Sequence, residues 1–285
     1  MEFFAPADWA EALQAKAAHP DAVPIAGGTD VMVGLNFDPR RPTALLDLGR
    51  VEELKGCEVR EGVVRIGAAV TFARLLQPGL ADRLPALATA ARTVGSPQIR
   101  NRATIGGNLG TSSPAGDAHP VLLASGAVVE AESVRGLRLI PVGEFFTGVK
   151  RNALAPDELI RAVSIPEAAG PQQFAKVGTR NAMVIAVCSL ALAVDVSRHT
   201  VGTGIGSAGP RPLTAPDAEL FLAEEMDWDR LTVRADAAEQ FGRLVARAAS
   251  PIDDVRGTAA YRRHALSVLA VRTLSWMCRR ELADL

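Results

Sequence analysis

Cysteine is scarce in this sequence, and its distribution excludes two kinds of site. The 285 residues include three cysteines, Cys57, Cys188 and Cys278, which are widely separated. An odd and scattered set is typical of a reduced compartment, and it gives neither paired zinc ligands nor an iron–sulfur cluster motif. Any metal or cluster chemistry is therefore expected outside this chain.

Positive charge is not in excess, and long apolar runs are missing. The chain carries 31 Lys and Arg against 32 Asp and Glu, so no overall positive field exists to hold nucleic acid or an anionic membrane. No stretch of about eighteen residues is apolar throughout, and the N-terminus has no basic segment followed by an apolar one. We therefore expect no nucleic-acid partner, no membrane span and a cytoplasmic protein.

The composition, 48% hydrophobic and 22% charged, is that of a globular protein with room for two domains. Up to about Pro166, strand-like runs alternate with short helical stretches, and residues 167–173 form a linker or turn. Strand-like runs at 174–179, 187–196 and 200–208 follow, and the rest is mainly helical. The sequence predicts an α+β fold in which a small antiparallel sheet with a helical layer follows a mixed domain.

Three segments have helical features. Asp8 is placed to cap a helix that begins at Trp9, with Glu11 three residues later as in a capping box. Residues 227–250 and 258–282 have helical spacing. The second of these sets an apolar face against Arg262, Arg263, Arg272 and Arg279.

The stretch GIGSAG, Gly204–Gly209, matches the dinucleotide pattern G-x-G-x-x-G. That pattern requires a helix to open directly after it, with its N-terminus on the pyrophosphate. Pro210 and Pro212 follow instead, which forbids a normal helix start. We interpret the stretch as a turn at the end of a strand.

Histidine and serine do not form a recognisable catalytic set. Ser112 and Ser113 lack a nucleophile-elbow motif and are interpreted as hydrogen-bonding groups. The four histidines are isolated from one another and from the cysteines, which favours surface or packing roles: His19, His119, His199 and His264. The sequence therefore predicts no metal site and no catalytic residue.

Two short glycine loops carry the strongest signal. They are AGGTD at Ala26–Asp30 and TIGGN at Thr104–Asn108, and each adjoins a strand-like run. Because glycine has no Cβ, such loops allow backbone N–H groups to close around an anion such as a diphosphate. Thr29, Thr104 and Asn108 add side-chain donors. The pair of loops predicts a phosphate-binding cradle that needs no lysine cluster.

The residues after the second loop have more than one interpretation. The segment from Thr104 to Pro120 is poor in large apolar residues and is expected to be a loop outside the core. Asp117 is suited to accept hydrogen bonds from ribose hydroxyls, to cap the helix after it, or to do both. From the residue types and their neighbours alone, Ile160 is predicted to be a core residue, and Lys176 is predicted to be a solvent-exposed lysine on a strand.

Four segments together resemble a known family. They are Pro24–Leu35, Arg100–Ala127, Phe145–Pro166 and Phe174–Val194, and they contain both glycine loops in order. Over nearly the whole chain the sequence resembles the FAD-binding medium subunit of the xanthine dehydrogenase and carbon monoxide dehydrogenase family of molybdenum hydroxylases. The order of the two loops, with the Asp-containing segment after the second, makes the resemblance specific.

The resemblance implies a fold and a division into domains. Residues 1–168 would form an FAD-binding domain of vanillyl-alcohol-oxidase-like type, with subdomains at about 1–55 and 56–168. Residues 172–285 would form a C-terminal domain with a three-stranded antiparallel sheet and a helical bundle.

The resemblance also implies a set of cofactor-binding residues: Ile25, Ala26, Gly27, Gly28, Thr29, Asp30, Val31, Thr104, Gly107, Asn108, Ser113, Asp117, Ile160 and Lys176. The first loop would wrap the FAD diphosphate, and the second would complete the cradle. Ser113 and Asp117 would line the diphosphate and ribose region, and Ile160 would pack against the flavin and adenine region. Lys176 would approach the isoalloxazine ring.

The resemblance implies that this chain performs one step of a reaction that is divided among three subunits. A large subunit would hold the molybdenum cofactor, a small subunit two 2Fe–2S clusters, and this chain a non-covalent FAD that delivers electrons to NAD, oxygen or a quinone. A stand-alone FAD-binding carrier, regulator or small oxidase is the alternative. Many members have Asp where this chain has Val184, and the single tyrosine of this chain, Tyr261, is far along the sequence. The resemblance therefore assigns no residue to the contact between the flavin and its oxidant.

Overall fold

The computed structural model describes residues 1–278; the predicted end of the last helix, 279–282, and the domain end at 285 lie outside the described residues. The strands are β1 (Glu2–Phe4), β2 (Val23–Ile25), β3 (Ala44–Asp47), β4 (Cys57–Arg60), β5 (Val63–Gly67), β6 (Val128–Ser133), β7 (Gly136–Pro141), β8 (Phe146–Gly148), β9 (Arg151–Asn152), β10 (Leu159–Pro166), β11 (Gln172–Val177), β12 (Cys188–Asp195) and β13 (Thr200–Gly206).

The helices are α1 (Trp9–Ala18), α2 (Val31–Phe37), α3 (Phe72–Leu75), α4 (Pro78–Ala81), α5 (Pro85–Thr93), α6 (Pro97–Arg102), α7 (Ile105–Thr111), α8 (Ala118–Ala124), α9 (Val142–Phe145), α10 (Pro216–Glu225), α11 (Ala235–Ala248) and α12 (Ala259–Met277). Asp8 caps α1 as predicted, because its carboxylate accepts a hydrogen bond from the Glu11 backbone at 2.9 Å. None of the helices in residues 1–278 is long and apolar enough to cross a bilayer.

Two larger sheets, beside the two-stranded sheet β8-β9, build the chain up to Pro166. The first is a three-stranded parallel sheet in the order β1-β3-β2, and the second is a five-stranded antiparallel sheet in the order β4-β5-β10-β6-β7. Alternate side chains of the second sheet, such as Ile66, Val129 and Val163, are fully buried in a core shared with the first. The first glycine loop follows β2 directly, and the second glycine segment begins just after α6 and forms the first turn of α7.

The C-terminal sheet, β11-β12-β13, is covered on both faces. Its large side chains, Leu190 and Leu192 among them, pack on α10, α11 and α12 in a second core. Phe174 and the small Ala191 belong to the first core and face α5 and α8. The predicted antiparallel sheet with its helical layer is confirmed, and its second face joins it to the N-terminal part.

The GIGSAG stretch ends strand β13 at Gly206 and continues as a bend at 207–209, as interpreted from the sequence. Close packing accounts for the glycines of this strand. A Cβ at Gly202 would lie 2.1 Å from the Ala124 carbonyl oxygen of α8, and one at Gly204 would lie 1.8 Å from the Pro120 carbonyl oxygen. Only glycine permits this approach of β13 to α8. The next helix, α10, starts at Pro216, so no helix opens after the pattern, as predicted.

Two predictions about the helices α7 and α12 are wrong. The segment from Thr104 to Pro120 is not an extended loop outside the core, because Ile105 and Leu109, one helical turn apart on α7, are fully buried. Arg262 does not lie on a solvated face of α12. Its side chain is buried and donates to the carbonyl oxygens of Val187 and Ser207 and to the Asp254 carboxylate.

Candidate functional site

The first glycine loop connects the end of β2 to α2 and approaches the second segment closely. Gly28 has a φ of +76°, a left-handed conformation that favours glycine. A Cβ at Gly27 would lie 1.9 Å from the Arg102 carbonyl oxygen, just before Thr104. The absence of side chains therefore lets the two glycine segments meet.

The second segment is the first turn of α7. Thr104 caps this helix, and its hydroxyl oxygen accepts a hydrogen bond from the Gly107 N–H at 3.0 Å. A Cβ at Gly106 would lie 2.5 Å from the Ala68 Cβ, so the turn packs tightly on the segment after β5. At Gly107 a Cβ would meet only the Thr104 hydroxyl, at 3.0 Å. Its other surroundings are open, which leaves bare backbone facing the adjoining cavity.

Asp117 lies at the junction of the two halves of the chain. One carboxylate oxygen accepts from the Lys176 ammonium at 2.6 Å and from the Thr93 hydroxyl at 3.1 Å. Lys176, on β11, also donates to the Thr93 and Val184 carbonyl oxygens, both at 3.1 Å. Burial raises the pKa of Asp117, and the Lys176 charge opposes that rise. The carboxyl group holds Lys176, and through it the Val184 segment, against the N-terminal half.

This arrangement corrects two interpretations of single residues. Lys176 is not a solvated strand lysine, because its side chain is only 9% exposed. Asp117 occupies the position before α8 but makes no side-chain capping hydrogen bond there. Both side chains are committed to the ion pair that joins the two halves.

His119 fixes the backbone between α7 and α8. The imidazole is fully buried, with Nδ1 3.0 Å from the Ser113 carbonyl oxygen and Nε2 3.1 Å from the Asn108 carbonyl oxygen. A Cβ at Gly116 would lie 2.3 Å from the ring, so the loop closes tightly around it. Burial lowers the pKa of His119 to about 4. This histidine therefore packs, as predicted, and it shapes the segment that carries Asn108 and Ser113.

These segments surround one cavity of about 790 Å³. Twelve of the fourteen residues predicted for the cofactor line it: Ala26, Gly27, Gly28, Thr29, Asp30, Val31, Thr104, Gly107, Asn108, Ser113, Asp117 and Ile160. Ile25 and Lys176 do not line it, and Lys176 lies behind Asp117. Ile160 is buried on β10, so its side chain serves both the core and the cavity wall.

Residues 1–168 match the family described as "FAD binding domain in molybdopterin dehydrogenase". The chain belongs to this family. Residues 173–277 match a second family, described as "CO dehydrogenase flavoprotein C-terminal domain". The resemblance drawn from the sequence is therefore confirmed.

Named relatives cover most of the chain. The nicotinate dehydrogenase FAD-subunit of Eubacterium barkeri is 39% identical over 78% of this chain and 79% of its own length. The nicotine 6-hydroxylase medium subunit of Paenarthrobacter nicotinovorans is 34% identical over 96% of both chains. In structure, a chain of the carbon monoxide dehydrogenase from Hydrogenophaga pseudoflava superposes with a TM-score of 0.90 at 27% identity, covering 98% of both chains.

The residues present fit the cofactor of this family. Asn108 Oδ1 and Asp117 Oδ1 are buried and have no hydrogen-bond partner among the described residues. Orphaned acceptors are costly, and hydroxyl groups of a ligand such as the ribityl and ribose chains of FAD would satisfy them. The bare backbone at Gly107 leaves room for a diphosphate beside the α7 turn, whose own N–H groups at 105–108 are bonded within the protein. The cavity is also within the size range of cofactor sites.

Several lining residues were missed in the sequence. They come from five different segments outside the two glycine loops: Lys16, Phe72, Ile99, Asn152 and Arg256. Sheet pairing and domain packing bring them together, so a single sequence contains no local signal for them. Tyr261, by contrast, does not line the cavity.

Proposed function

We propose that this chain binds one FAD non-covalently in the cavity and passes electrons from the 2Fe–2S clusters of a partner subunit to an acceptor. The pair of orphaned buried acceptors, Asn108 Oδ1 and Asp117 Oδ1, beside the bare backbone of Gly107 is the observation that carries the proposal. A ligand that combines hydroxyl donors with a diphosphate answers both features. FAD is such a ligand.

Each part of the cavity then has a role. The first loop directs backbone N–H groups and the Thr29 hydroxyl at the diphosphate, the α7 turn gives it room to approach at Gly107, and Asp117 accepts from a hydroxyl or N–H of the cofactor. Ile160 packs against an apolar part of it. Lys176 acts through Asp117, which differs from the direct approach to the isoalloxazine ring expected above. Within this division, residues 1–168 hold FAD, and residues 183–185 and Arg256 of the C-terminal domain cover it.

FAD supplies the redox chemistry when bound, so the protein needs to bind, orient and shield. No histidine, cysteine or tyrosine of residues 1–278 lines the cavity, which supports a non-covalent cofactor. No cluster of three or more His, Cys, Asp or Glu that could hold a metal occurs in the described part of the chain. We accordingly assign no catalytic residue to this chain.

Partner subunits would complete the enzyme. Relatives are named as an FAD-subunit and as a medium subunit, names that belong to multi-chain enzymes. By analogy, a large subunit holds the molybdenum cofactor, a small one holds the 2Fe–2S clusters, and NAD, oxygen or a quinone is the final acceptor. The isolated chain is then inactive on the substrate of the complex, and the cytoplasm is its compartment.

Anaerobic absorption spectroscopy tests this division of labour. The chain is purified alone and in complex with its co-expressed large and small partners, and each preparation is mixed with candidate substrates of molybdenum hydroxylases, such as purines, aldehydes, N-heterocycles and carbon monoxide. Bleaching of the flavin by substrate in the complex alone is the expected result. Bleaching in the isolated, metal-free chain would favour the alternative, a self-contained flavin oxidase.

A further inference from the structure

Lys16 is a buried lysine that the glycine-loop pattern leaves unexplained. It lies near the end of α1, is 6% exposed, and lines the cavity beside Pro20, Val23 and Pro24. Its ammonium donates to the carbonyl oxygens of Pro20 and Ala22, both at 2.7 Å. An ammonium group has three N–H donors, so these bonds account for two of them.

The charges around the cavity single out Lys16. The charged side chains of the described lining are Lys16, Asp30, Asp117, Glu158 and Arg256. Asp117, Glu158 and Arg256 each form an ion pair with an oppositely charged side chain behind the lining. Lys16 contacts carbonyl oxygens, and none of the ion pairs within residues 1–278 includes it. It is therefore the cation of the described lining whose charge no carboxylate neutralises directly.

We propose that Lys16 supplies the positive charge that balances the FAD diphosphate, an inference that rests on the proposed function. Backbone N–H groups of the first glycine loop offer dipoles but no net charge, whereas a diphosphate brings negative charge into a partly buried site. At the lower dielectric of such a site, a cation attracts it more strongly than in water. Burial also lowers the pKa of Lys16, against the opposing effect of Asp21, so a bound anion would favour its charged form.

The competing role for Lys16 is purely structural. Its two hydrogen bonds tie the end of α1 to the turn that leads into β2, and that turn sets the position of the first glycine loop. A structural role would change the stability of the protein and its affinity for every flavin equally. A role toward the diphosphate would depend on the phosphates of the ligand.

Flavins with and without phosphate separate these roles. Dissociation constants for FAD and riboflavin are measured by fluorescence on the full chain and on Lys16→Met, Lys16→Arg and Lys55→Met, the last a control on a lysine outside the cavity. We expect Lys16→Met to weaken FAD about tenfold to a hundredfold, as for a lost interaction with a charged group. Riboflavin affinity should stay unchanged, and Lys16→Arg should retain most of the FAD affinity.

The outcomes are distinguishable. A wild-type chain that binds no FAD would overturn the proposed function itself, whereas equal FAD affinity in wild type and Lys16→Met would overturn the role of Lys16 alone. Equal losses for FAD and riboflavin would assign Lys16 to the turn. If Lys16→Met does not fold, Lys16→Gln is measured in its place, because glutamine keeps N–H donors for the two carbonyl oxygens but carries no charge. Equal FAD affinity in Lys16→Gln and the wild type would also overturn the role.

Discussion

Removing one member of the Asp117–Lys176 ion pair should destabilise the protein more than removing both. The two groups are 2.6 Å apart, and their side chains are 8% and 9% exposed. Asp117→Ala leaves the Lys176 ammonium with carbonyl partners but no counter-charge. Lys176→Met leaves the buried Asp117 carboxylate without its counter-charge. The effect also crosses the domain junction, since Asp117 belongs to the N-terminal half and Lys176 to β11.

The size of the effect follows from burial. Breaking a buried pair from one side costs about 3–5 kcal/mol, whereas replacing both members by apolar groups costs much less. At roughly 2–4 °C per kcal/mol for a chain of this order of size, each single substitution should lower Tm by about 6–20 °C. The double variant should recover most of this loss, with a coupling energy toward the upper end of the roughly 0.5–3 kcal/mol found for residues in contact.

Calorimetry of the protein without FAD measures these Tm values. Asp217→Ala and Arg247→Met serve as controls, because this pair is 3.1 Å apart but its side chains are 77% and 68% exposed. Each control should cost less than about 1 kcal/mol. A loss for Asp117→Ala no larger than for Asp217→Ala would refute the buried, domain-joining pair described above.

Three further changes have defined outcomes. Gly107→Val should weaken FAD binding at least tenfold in titrations while Tm stays nearly constant, since its Cβ would meet only the Thr104 hydroxyl and the side chain would enter the cavity; unchanged affinity would contradict the cradle. Gly204→Val should prevent normal folding, seen by circular dichroism, because its Cβ would lie 1.8 Å from the Pro120 carbonyl oxygen; a native spectrum would contradict this packing. His119→Gln should flatten the dependence of unfolding free energy on pH. The folded pKa of about 4 lies below the usual value of 6.5, so the wild type should lose about 3 kcal/mol as pH falls from 6.5 to 4; equal slopes in both proteins would contradict a buried neutral imidazole.

Much of the fold could be predicted because its strands have recognisable local sequence patterns. The alternating runs at β5, β6 and β10 and the glycine-interrupted run at β13 all became strands. The α7 helix was missed because its glycines and hydroxyls resemble those of a loop. Ile105 and Leu109, four residues apart after the capping Thr104, were the signal for it.

The site was predictable in its glycine segments and less so in its charges. Gly28 and Gly107 mark positions where backbone must approach a ligand or another segment, which a sequence can reveal. The partner of Lys176 is 59 residues away, and the exposure of a charged side chain depends on which helix covers its strand. For Lys16, whose bonds are to main-chain carbonyls, nothing in the neighbouring residues signalled burial.

FAD stoichiometry tests the central claim most directly. The chain is purified, incubated with excess FAD, freed of unbound cofactor and then denatured, and the released flavin is quantified against protein. We predict one FAD per chain, all of it released by denaturation, because no histidine, cysteine or tyrosine within residues 1–278 lines the cavity. A folded protein that retains no FAD would contradict the claim, and flavin that stays attached after denaturation would contradict non-covalent binding.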